Sequence, residues 1–411
     1  MLLLGMGVLL LLLLLAITVP LGGMFHFDTF ESGVVGVVLA SIIWVTASLF
    51  AYFRGDNVLL ALAGARKINS LDHRRLYNIV EELKIASGLE TMPSLYIIDD
   101  PAMNAFAVGC HRDKAAAIVT SGLLTKLNRD ELQGVIGHEI AHIVNRDVML
   151  MSFCIMLLNT ISVIVCAVGG GRITTEDLAP QKENWKFMAV YAAVGTIFLF
   201  FAALGVNDYF KDAIAIYVSV FLIFVLISAH LIYYATSRRR EYLADASSAL
   251  YTRYPEGLAT ALEKIASSTD QVLAANTATV TIYIVNPFRR KGLPASDITS
   301  THPPVSERIR ILRAMSHASF ADYDQAYRQV RGIDKGIIPT TAMSSAGIVP
   351  MRSAIPDDLN HIQRARETTN ALWNAQKYNI INCVCGTRLR LPPSFKLAEV
   401  KCPHCGRINP V

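Results

Sequence analysis

Charge is scarce in this chain. Asp, Glu, Lys and Arg together make up 17% of its 411 residues, while hydrophobic residues reach 53%. A soluble domain carries charge at about a quarter of its positions, so an ordinary soluble composition is excluded. Internal repeats and low-complexity tracts are also missing, which excludes a repeat array. The N-terminal hydrophobic block has no basic residue ahead of its leucine run and a second block follows almost at once, so it is expected to be an anchor and not a cleaved secretory signal. The net charge of +5 does not point to nucleic acid, because the basic residues cluster beside the ends of hydrophobic blocks, where membrane orientation accounts for them.

The apolar excess is gathered into blocks. Residues 1–20, 33–53, 149–170, 187–206 and 213–236 are each long enough to cross a bilayer. Between the first two blocks stand Asp28 and Glu31 but no Lys or Arg, whereas Arg54, Arg66 and Lys67 follow the second. The positive-inside tendency therefore places residues 54–148 in the cytoplasm. Arg238, Arg239 and Arg240, directly after the last block, place Glu241 and the segment beyond it on the same side.

Between the second and third blocks lies His138-Glu139-Ile140-Ala141-His142. On a helix, positions i and i+4 share a face, so both imidazoles reach one metal while Glu139 points toward its open position. The helix is expected from Asn128, a good N-cap, from Glu131 in the first turn, and from Leu132, Val135, Ile136, Ile140 and Ile143 at helical spacing. A catalytic metal takes three protein ligands and keeps one place for water, so a third ligand is needed on another element. Glu241 and Asp245, again four apart, are the candidates: Glu241 as ligand, Asp245 as acceptor of a hydrogen bond from a ligand histidine. A solvated charge face is the competing reading of that second segment.

Four stretches carry a resemblance to a known family: Asn104-Ala105-Phe106-Ala107-Val108-Gly109, the run from His138 to Asp147, the run from Arg238 to Asp245, and Thr301-His302-Pro303-Pro304. In order and spacing they resemble the HtpX-like membrane zinc metalloproteases over roughly residues 1–315. The resemblance implies an integral membrane endopeptidase with His138, His142 and Glu241 as zinc ligands, Glu139 as base and an active site facing the cytoplasm. A zinc ion there would activate water, Glu139 would take its proton and return it to the leaving amine, and His302 is the candidate for stabilising the developing oxyanion. His302 before two prolines could equally be a structural loop residue. Arg238 could pair with Asp147 or Asp245, and is read in preference as a membrane-edge anchor.

If His142 and Glu241 share one metal, the chain must cross the membrane an even number of times between them. Three hydrophobic blocks are present, so 149–170 and 213–236 are expected to cross and 187–206 to be re-entrant, interfacial or packed in the bundle.

The soluble parts read as α+β. A helix is expected around 71–87, strands at Ser94–Ile98, Asn104–Gly109 and Ala115–Thr120, and the metal helix after them. Asn104–Gly109 is expected to belong to a strand edge that holds extended substrate, or to its support. Residues 333–355 read as a flexible connection, followed by a helix over 357–376 with Leu359, Ile362, Ala365 and Leu372 on one side. The tail places Cys383 and Cys385 ahead of Cys402 and Cys405, four thiolates that can close a structural zinc site in a ribbon. The reducing cytoplasm favours zinc over disulfides. The first pair is separated by one residue instead of the usual two, which strains its turn. Cys110, Cys154 and Cys166 read as buried small hydrophobes.

The expected architecture is thus a multi-span α-helical membrane protein with a cytoplasmic α+β zinc-metallopeptidase domain and a small C-terminal zinc ribbon. Its parts are two membrane helices (1–53), a first peptidase part (54–148), membrane helices (149–236), a second peptidase part (237–316), a linker with a short helix (317–380) and the ribbon (381–411). The expected function is zinc-dependent cleavage of cytoplasmic segments of misfolded or damaged membrane proteins in a bacterial inner membrane. The expected partners are protein substrates and the lipid bilayer, with two Zn2+ ions per chain. A CAAX-type prenyl-protein endopeptidase and a non-catalytic or latent metal-binding scaffold are the alternatives.

Overall fold

The computed structural model describes residues 8, 11–12, 15, 29–109, 114–147, 238–270, 272, 283–285, 303–343, 349–356 and 359–411. The blocks at 149–170, 187–206 and 213–236 lie outside the described residues, as do His302, Cys110, Cys154 and Cys166. Helix α1 spans Thr29–Leu62 and leaves Val34, Val38, Ile42, Val45 and Leu49 exposed. Counted over the described residues, no helix is long and apolar enough to cross a membrane.

A four-stranded sheet organises the residues after α1. Strands β1 (Arg66–Ile68), β2 (Ser94–Ile98), β3 (Ala105–Val108) and β4 (Ala116–Thr120) lie in the order β1-β2-β4-β3. β4 runs parallel to β2 with Tyr96 opposite Ile118, and β3 folds back antiparallel on β4 with Phe106 opposite Ile118. Every residue of β4 is buried, as expected for a central strand covered on both faces. Alternation then divides its side chains: Ala117 and Val119 join the main core, and Ala116 and Ile118 join a second cluster with Leu59, Phe106, Ile143 and Tyr283. β3 is an edge strand, but its edge is partly engaged, since Ile284 N donates to Ala105 O at 3.0 Å and Asn104 Nδ2 to Val285 O at 2.9 Å.

Helices cover the sheet. α2 (Arg74–Ser87) buries Leu76, Ile79, Val80 and Leu83, one row of an amphipathic helix. The short α3 (Ser121–Lys126) follows β4 directly, capped by Thr120, whose hydroxyl accepts from Leu123 N. α4 (Arg129–Val144) begins with a capping box in which Asn128 and Glu131 satisfy each other's backbone N–H groups. It is enclosed on nearly every side, with Leu132, Val135, Ile136 and Ile140 fully buried. α5 occupies residues 238–252, α6 Pro255–Ser267, α7 Val305–Arg313 and α8 Phe320–Arg331.

Two glycines let α4 and α6 approach backbone to backbone. A Cβ on Gly134 would stand 2.6 Å from Leu258 N, and one on Gly257 would stand 2.6 Å from Asp130 O. Ser248 of α5 adds a hydrogen bond, its hydroxyl donating to Gly134 O at 2.7 Å. α4 is therefore fixed against two neighbours at once.

The stretch after α8 is more structured than its Gly and Pro content suggests. Gly332 ends α8 in the left-handed conformation, and buried Asp324 accepts from Ile337 N and Ile338 N at 2.7 and 3.0 Å. A short helix α9 (Thr340–Met343) follows. Arg352 then straps the two site helices together. Its Nη2 donates to Asp130 Oδ1 and Gln133 Oε1 of α4 at 2.7 and 2.8 Å, its Nε donates to Thr252 O of α5 at 2.9 Å, and its guanidinium lies over Tyr254. The described part of 333–355 is thus held by buried acceptors, which corrects the expected flexible connection.

Helix α10 (His361–Ala375) falls where a helix is expected, and Leu372 of the expected apolar row packs against the main core, but the buried face is turned away from Ile362. Ile362 is 61% exposed, while Thr368 and Ala371 are buried. Hydrogen bonds choose that face: Arg364 Nε donates to Thr125 O, Arg75 N to Glu367 Oε1 and Asn374 Nδ2 to Asp72 Oδ1. Two hairpins finish the chain, β5 (Asn379–Asn382) with β6 (Arg388–Leu391) and β7 (Glu399–Lys401) with β8 (Ile408–Pro410).

The helix contact at Gly134 makes a stability prediction. Gly134→Ala gains helix propensity but must displace backbone atoms of α6, and it is expected to destabilise the protein by about 1–3 kcal/mol. A thermal-shift measurement should show a lower midpoint than wild type; an unchanged or raised midpoint would contradict the close approach.

Candidate active site

α4 presents His138, Glu139 and His142, and α5 presents Glu241 and Asp245, so both i,i+4 pairs project into the seam between the two helices. His138 Nε2 and His142 Nε2 lie 3.2 Å apart; Glu241 places Oε2 3.5 Å from the first and Oε1 3.3 Å from the second. Three ligand atoms at about 2.0–2.1 Å from a tetrahedral zinc ion would stand about 3.3 Å from one another. The three groups lie within reach of one ion.

The far nitrogen of each imidazole is held by its own carboxylate. His138 Nδ1 is 2.9 Å from Asp245 Oδ1, and His142 Nδ1 is 3.0 Å from Asp147 Oδ2. Those partners assign the proton to Nδ1 and leave both Nε2 lone pairs facing Glu241. Two lone pairs and a carboxylate converging in a buried seam repel one another unless a proton or a metal cation joins them. Beside them Glu139 is 2% exposed and its Oε1 has no hydrogen-bond partner among the described residues. The donor set and this orphaned base fit a zinc ion with an open position.

Each carboxylate is in turn held by an arginine. Arg308 of α7 and Asp245 are both 0% exposed and form a fork, Nε to Oδ2 at 2.8 Å and Nη2 to Oδ1 at 2.6 Å. Arg308 Nη1 also approaches Glu241 Oε2 at 3.5 Å and donates to Ile284 O at 3.3 Å, which links the metal seam to the segment beside β3. Arg240 holds Asp147 from α5 through a single contact, Nη1 to Oδ1. Asp147 reaches His142 because Arg146 takes a left-handed conformation, φ 59°, just past the end of α4 and turns the chain back.

Protonation reflects these contacts. Burial lowers the pKa of both histidines, but hydrogen bonds outweigh it: Asp245 and Glu241 hold His138 above its usual range, and Asp147 and Glu241 hold His142 well above it. For Asp245 burial acts upward, yet Arg308 and His138 keep it below the usual carboxylate range. Burial raises Glu139, against the opposing pull of His138, His142 and Arg308. A raised carboxyl is suited to taking and returning a proton near neutrality.

The structure therefore brings His138, Glu139, His142, Glu241 and Asp245 to one place and leaves His302 outside the described residues. It gives Asp147 to Arg240 and Asp245 to Arg308, where the sequence offers both acids to Arg238. Sequence reasoning misses Arg308, although Val305, Arg308, Ile311 and Leu312 repeat at helical spacing and place the arginine on the buried face of α7.

A second cluster lies in the tail. Cys383 Sγ is 3.5 Å from Cys405 Sγ, and Cys385 Sγ is 3.7 Å from Cys402 Sγ. Four sulfurs at about 2.3 Å from a tetrahedral zinc would be about 3.8 Å apart, whereas a disulfide needs about 2.05 Å. The short first pair does not prevent its turn from closing. Gly386 N donates to Cys383 O at 2.8 Å and Gly406 N to Cys402 O at 2.9 Å, with φ 84° and 74° at the two glycines. Hydrogen bonding with Thr387 holds the Cys385 thiol down at about 5, whereas, against the lowering effect of the Arg407 backbone, hydrogen bonding with Cys385 and Cys383 pushes the Cys405 thiol up.

Zinc binding should depend on pH with a defined sign. With both imidazoles raised above 6.5 in the metal-free protein, zinc must displace their protons, so affinity should fall as pH is lowered through neutrality. Asp147→Asn removes one carboxylate partner and should weaken zinc binding at the seam by about 10–100-fold. Competition titrations against a chelator from pH 6 to 8 measure both; a pH-independent affinity would contradict the assigned hydrogen bonds.

Comparison with known proteins agrees with this geometry. The model of peptidase family M48 matches residues 70–316. A protein named protease HtpX homolog from Dictyoglomus turgidum is 38% identical over 286 residues, covering 70% of this chain and 84% of the relative. Homologs of the same name from Streptococcus uberis and Thermoanaerobacter pseudethanolicus are each 37% identical, covering 69% and 72% of this chain and 88% and 89% of their own lengths. A crystal structure of S. mikatae Ste24p is similar at a TM-score of 0.33 and 17% identity, over 72% of this chain and 60% of that one, a likeness too slight to bear on the fold. With its metal seam inside the matched region, the chain belongs to peptidase family M48, as an HtpX-like metalloprotease.

Proposed function

We propose that this chain is an integral membrane zinc endopeptidase that cleaves cytoplasmic segments of misfolded or damaged membrane proteins from a bacterial inner membrane. The observation that carries the reading is the seam itself: three metal-capable side chains converge beside the buried Glu139, whose Oε1 has no hydrogen-bond partner among the described residues. Zinc bound there supplies a Lewis acid that activates water and polarises the scissile carbonyl. Glu139 takes the proton and returns it to the leaving amine. Asp245 and Asp147 hold the two imidazoles in the tautomer that turns Nε2 toward the metal, and Arg308 and Arg240 hold those two acids in place. The burial of His138 and Glu139 limits bulk water at the reacting groups. His302 is proposed as the donor to the oxyanion.

The membrane placement is supported by the five apolar blocks, by the basic residues that follow two of them, and by the apolar side chains exposed along α1. Two of the three blocks between Asp147 and Arg238 crossing the bilayer would return Glu241 to the side of His142. The tail is proposed to be a zinc ribbon closed by Cys383, Cys385, Cys402 and Cys405, which docks through α10 and serves as a recognition module. The CAAX-type alternative has less support, because the relatives matched here are HtpX homologs. A purely structural metal site would use a fourth protein ligand, and among the described residues the seam offers three, with the carboxylate of Glu139 beside them.

The deciding experiment compares wild type with Glu139→Gln in detergent. Both should hold about two zinc ions per chain, while cleavage of an unfolded test protein should fall at least a thousandfold in the variant, the order expected when a general base is lost from a zinc site. Equal cleavage by the two proteins would refute the role of Glu139, and zinc without cleavage in either would favour a scaffold.

A further inference from the structure

The helix that delivers Glu241 and Asp245 to the metal seam shows different chemistry about a quarter-turn around its axis. There Arg238, Arg239 and Tyr242 line a cavity of about 340 Å³, closed by Tyr327 and Arg331 of α8 and by Lys335 in the turn after that helix. Four of its lining side chains are cations and none is a carboxylate. Glu307 stands behind the wall, accepting from the Tyr242 hydroxyl and from Arg331 Nη1 at 3.0 Å, and so offsets one of the four. Tyr242 and Tyr327 are buried and packed edge to face at 5.1 Å, which makes one wall rigid. Lys335 has no ion pair or hydrogen bond among the described residues.

Cations gathered in one concavity repel each other, and an anion joining them removes that cost. Arginine forks and a lysine ammonium match the oxygens of a phosphate. Location selects the source of the phosphate. Arg238 comes directly after the apolar block 213–236, so in the proposed topology the cavity lies at the level of the lipid head groups, and Ile333, 40% exposed, adds an apolar lip to its lining. His138, Glu139, His142, Glu241 and Asp245 do not line it, so it is distinct from the metal seam. We infer that this cavity binds the phosphate of an acidic phospholipid head group and anchors the start of α5 to the membrane surface. The inference rests on the membrane placement proposed above.

The test uses the full chain in zwitterionic detergent, titrated by calorimetry with short-chain phosphatidylglycerol, with phosphatidylcholine and with inorganic phosphate. Wild type should bind phosphatidylglycerol well above the other two. Arg331→Gln with Lys335→Gln should weaken that binding about thirtyfold, from about five- to sixfold per basic residue near a lipid surface, whereas the charge-matched pair Arg366→Gln with Lys396→Gln should change it less than about threefold. Lys335→Gln alone breaks no described contact and should still weaken binding several-fold. Equal losses in both pairs, or no preference for phosphatidylglycerol, would overturn the inference. Inorganic phosphate binding as tightly as the lipid would overturn the lipid as its source. Membranes washed in alkaline carbonate provide the separate check: release of the chain would overturn the membrane placement itself, while retention without lipid preference would overturn the cavity alone.

Discussion

The site depends on one buried ion pair, the fork between Arg308 and Asp245. Asp245 has no solvent to hold its charge, and Arg308 has none either, so each is stabilised inside the protein chiefly by the other. Losing either partner would leave an uncompensated buried charge, a cost of about 3–5 kcal/mol. The pair fastens α7 to α5, and Asp245 then fixes the ring of His138 on α4. Three helices brought from separate stretches of the chain are registered by one carboxylate.

His142 repeats the arrangement with Asp147 and Arg240, but from the loop at the end of its own helix. That version requires the left-handed backbone of Arg146, a conformation glycine would adopt at less cost. Between the two relays, α4 cannot slide. Gly134 and Gly257 bring it against α6, the capping box sets its first turn, and Arg352 ties its start to the end of α5. The positions of the metal-capable atoms are set by packing and hydrogen bonds present in the protein itself.

Much of the seam can be read from sequence because helical geometry is local. Four-residue spacing is enough to place His138 with His142 and Glu241 with Asp245, and Asn128 with Glu131 announces the start of α4. Strands β2, β3 and β4 are legible as short apolar runs. Contacts between distant segments are less visible. Arg308 lies 63 residues beyond Asp245, and only its place on the apolar face of α7 marks it as buried. The choice of Arg240 over Arg238 for Asp147 depends on the angle between α5 and the loop after α4, which no spacing encodes. Residues 333–355 read as flexible because their hydrogen-bond partners, Asp324, Asp130 and Gln133, are acids and amides that look like surface residues until the fold encloses them. The buried face of α10 is only partly legible for a similar reason: Leu372 packs against the core as its spacing suggests, but Arg364 and Glu367, hydrogen-bonded to α3 and α2, turn the helix so that Ile362 is exposed.

The account requires two metal sites of different chemistry in one chain, one built from imidazole and carboxylate and one from thiolates. X-ray absorption at the zinc edge of the full-length, metal-loaded protein distinguishes them directly. The spectrum should resolve two first shells, nitrogen and oxygen at about 2.0–2.1 Å and sulfur at about 2.3 Å, in comparable amounts. A sulfur shell alone would mean that the seam between α4 and α5 holds no zinc, and would contradict the peptidase site at its foundation.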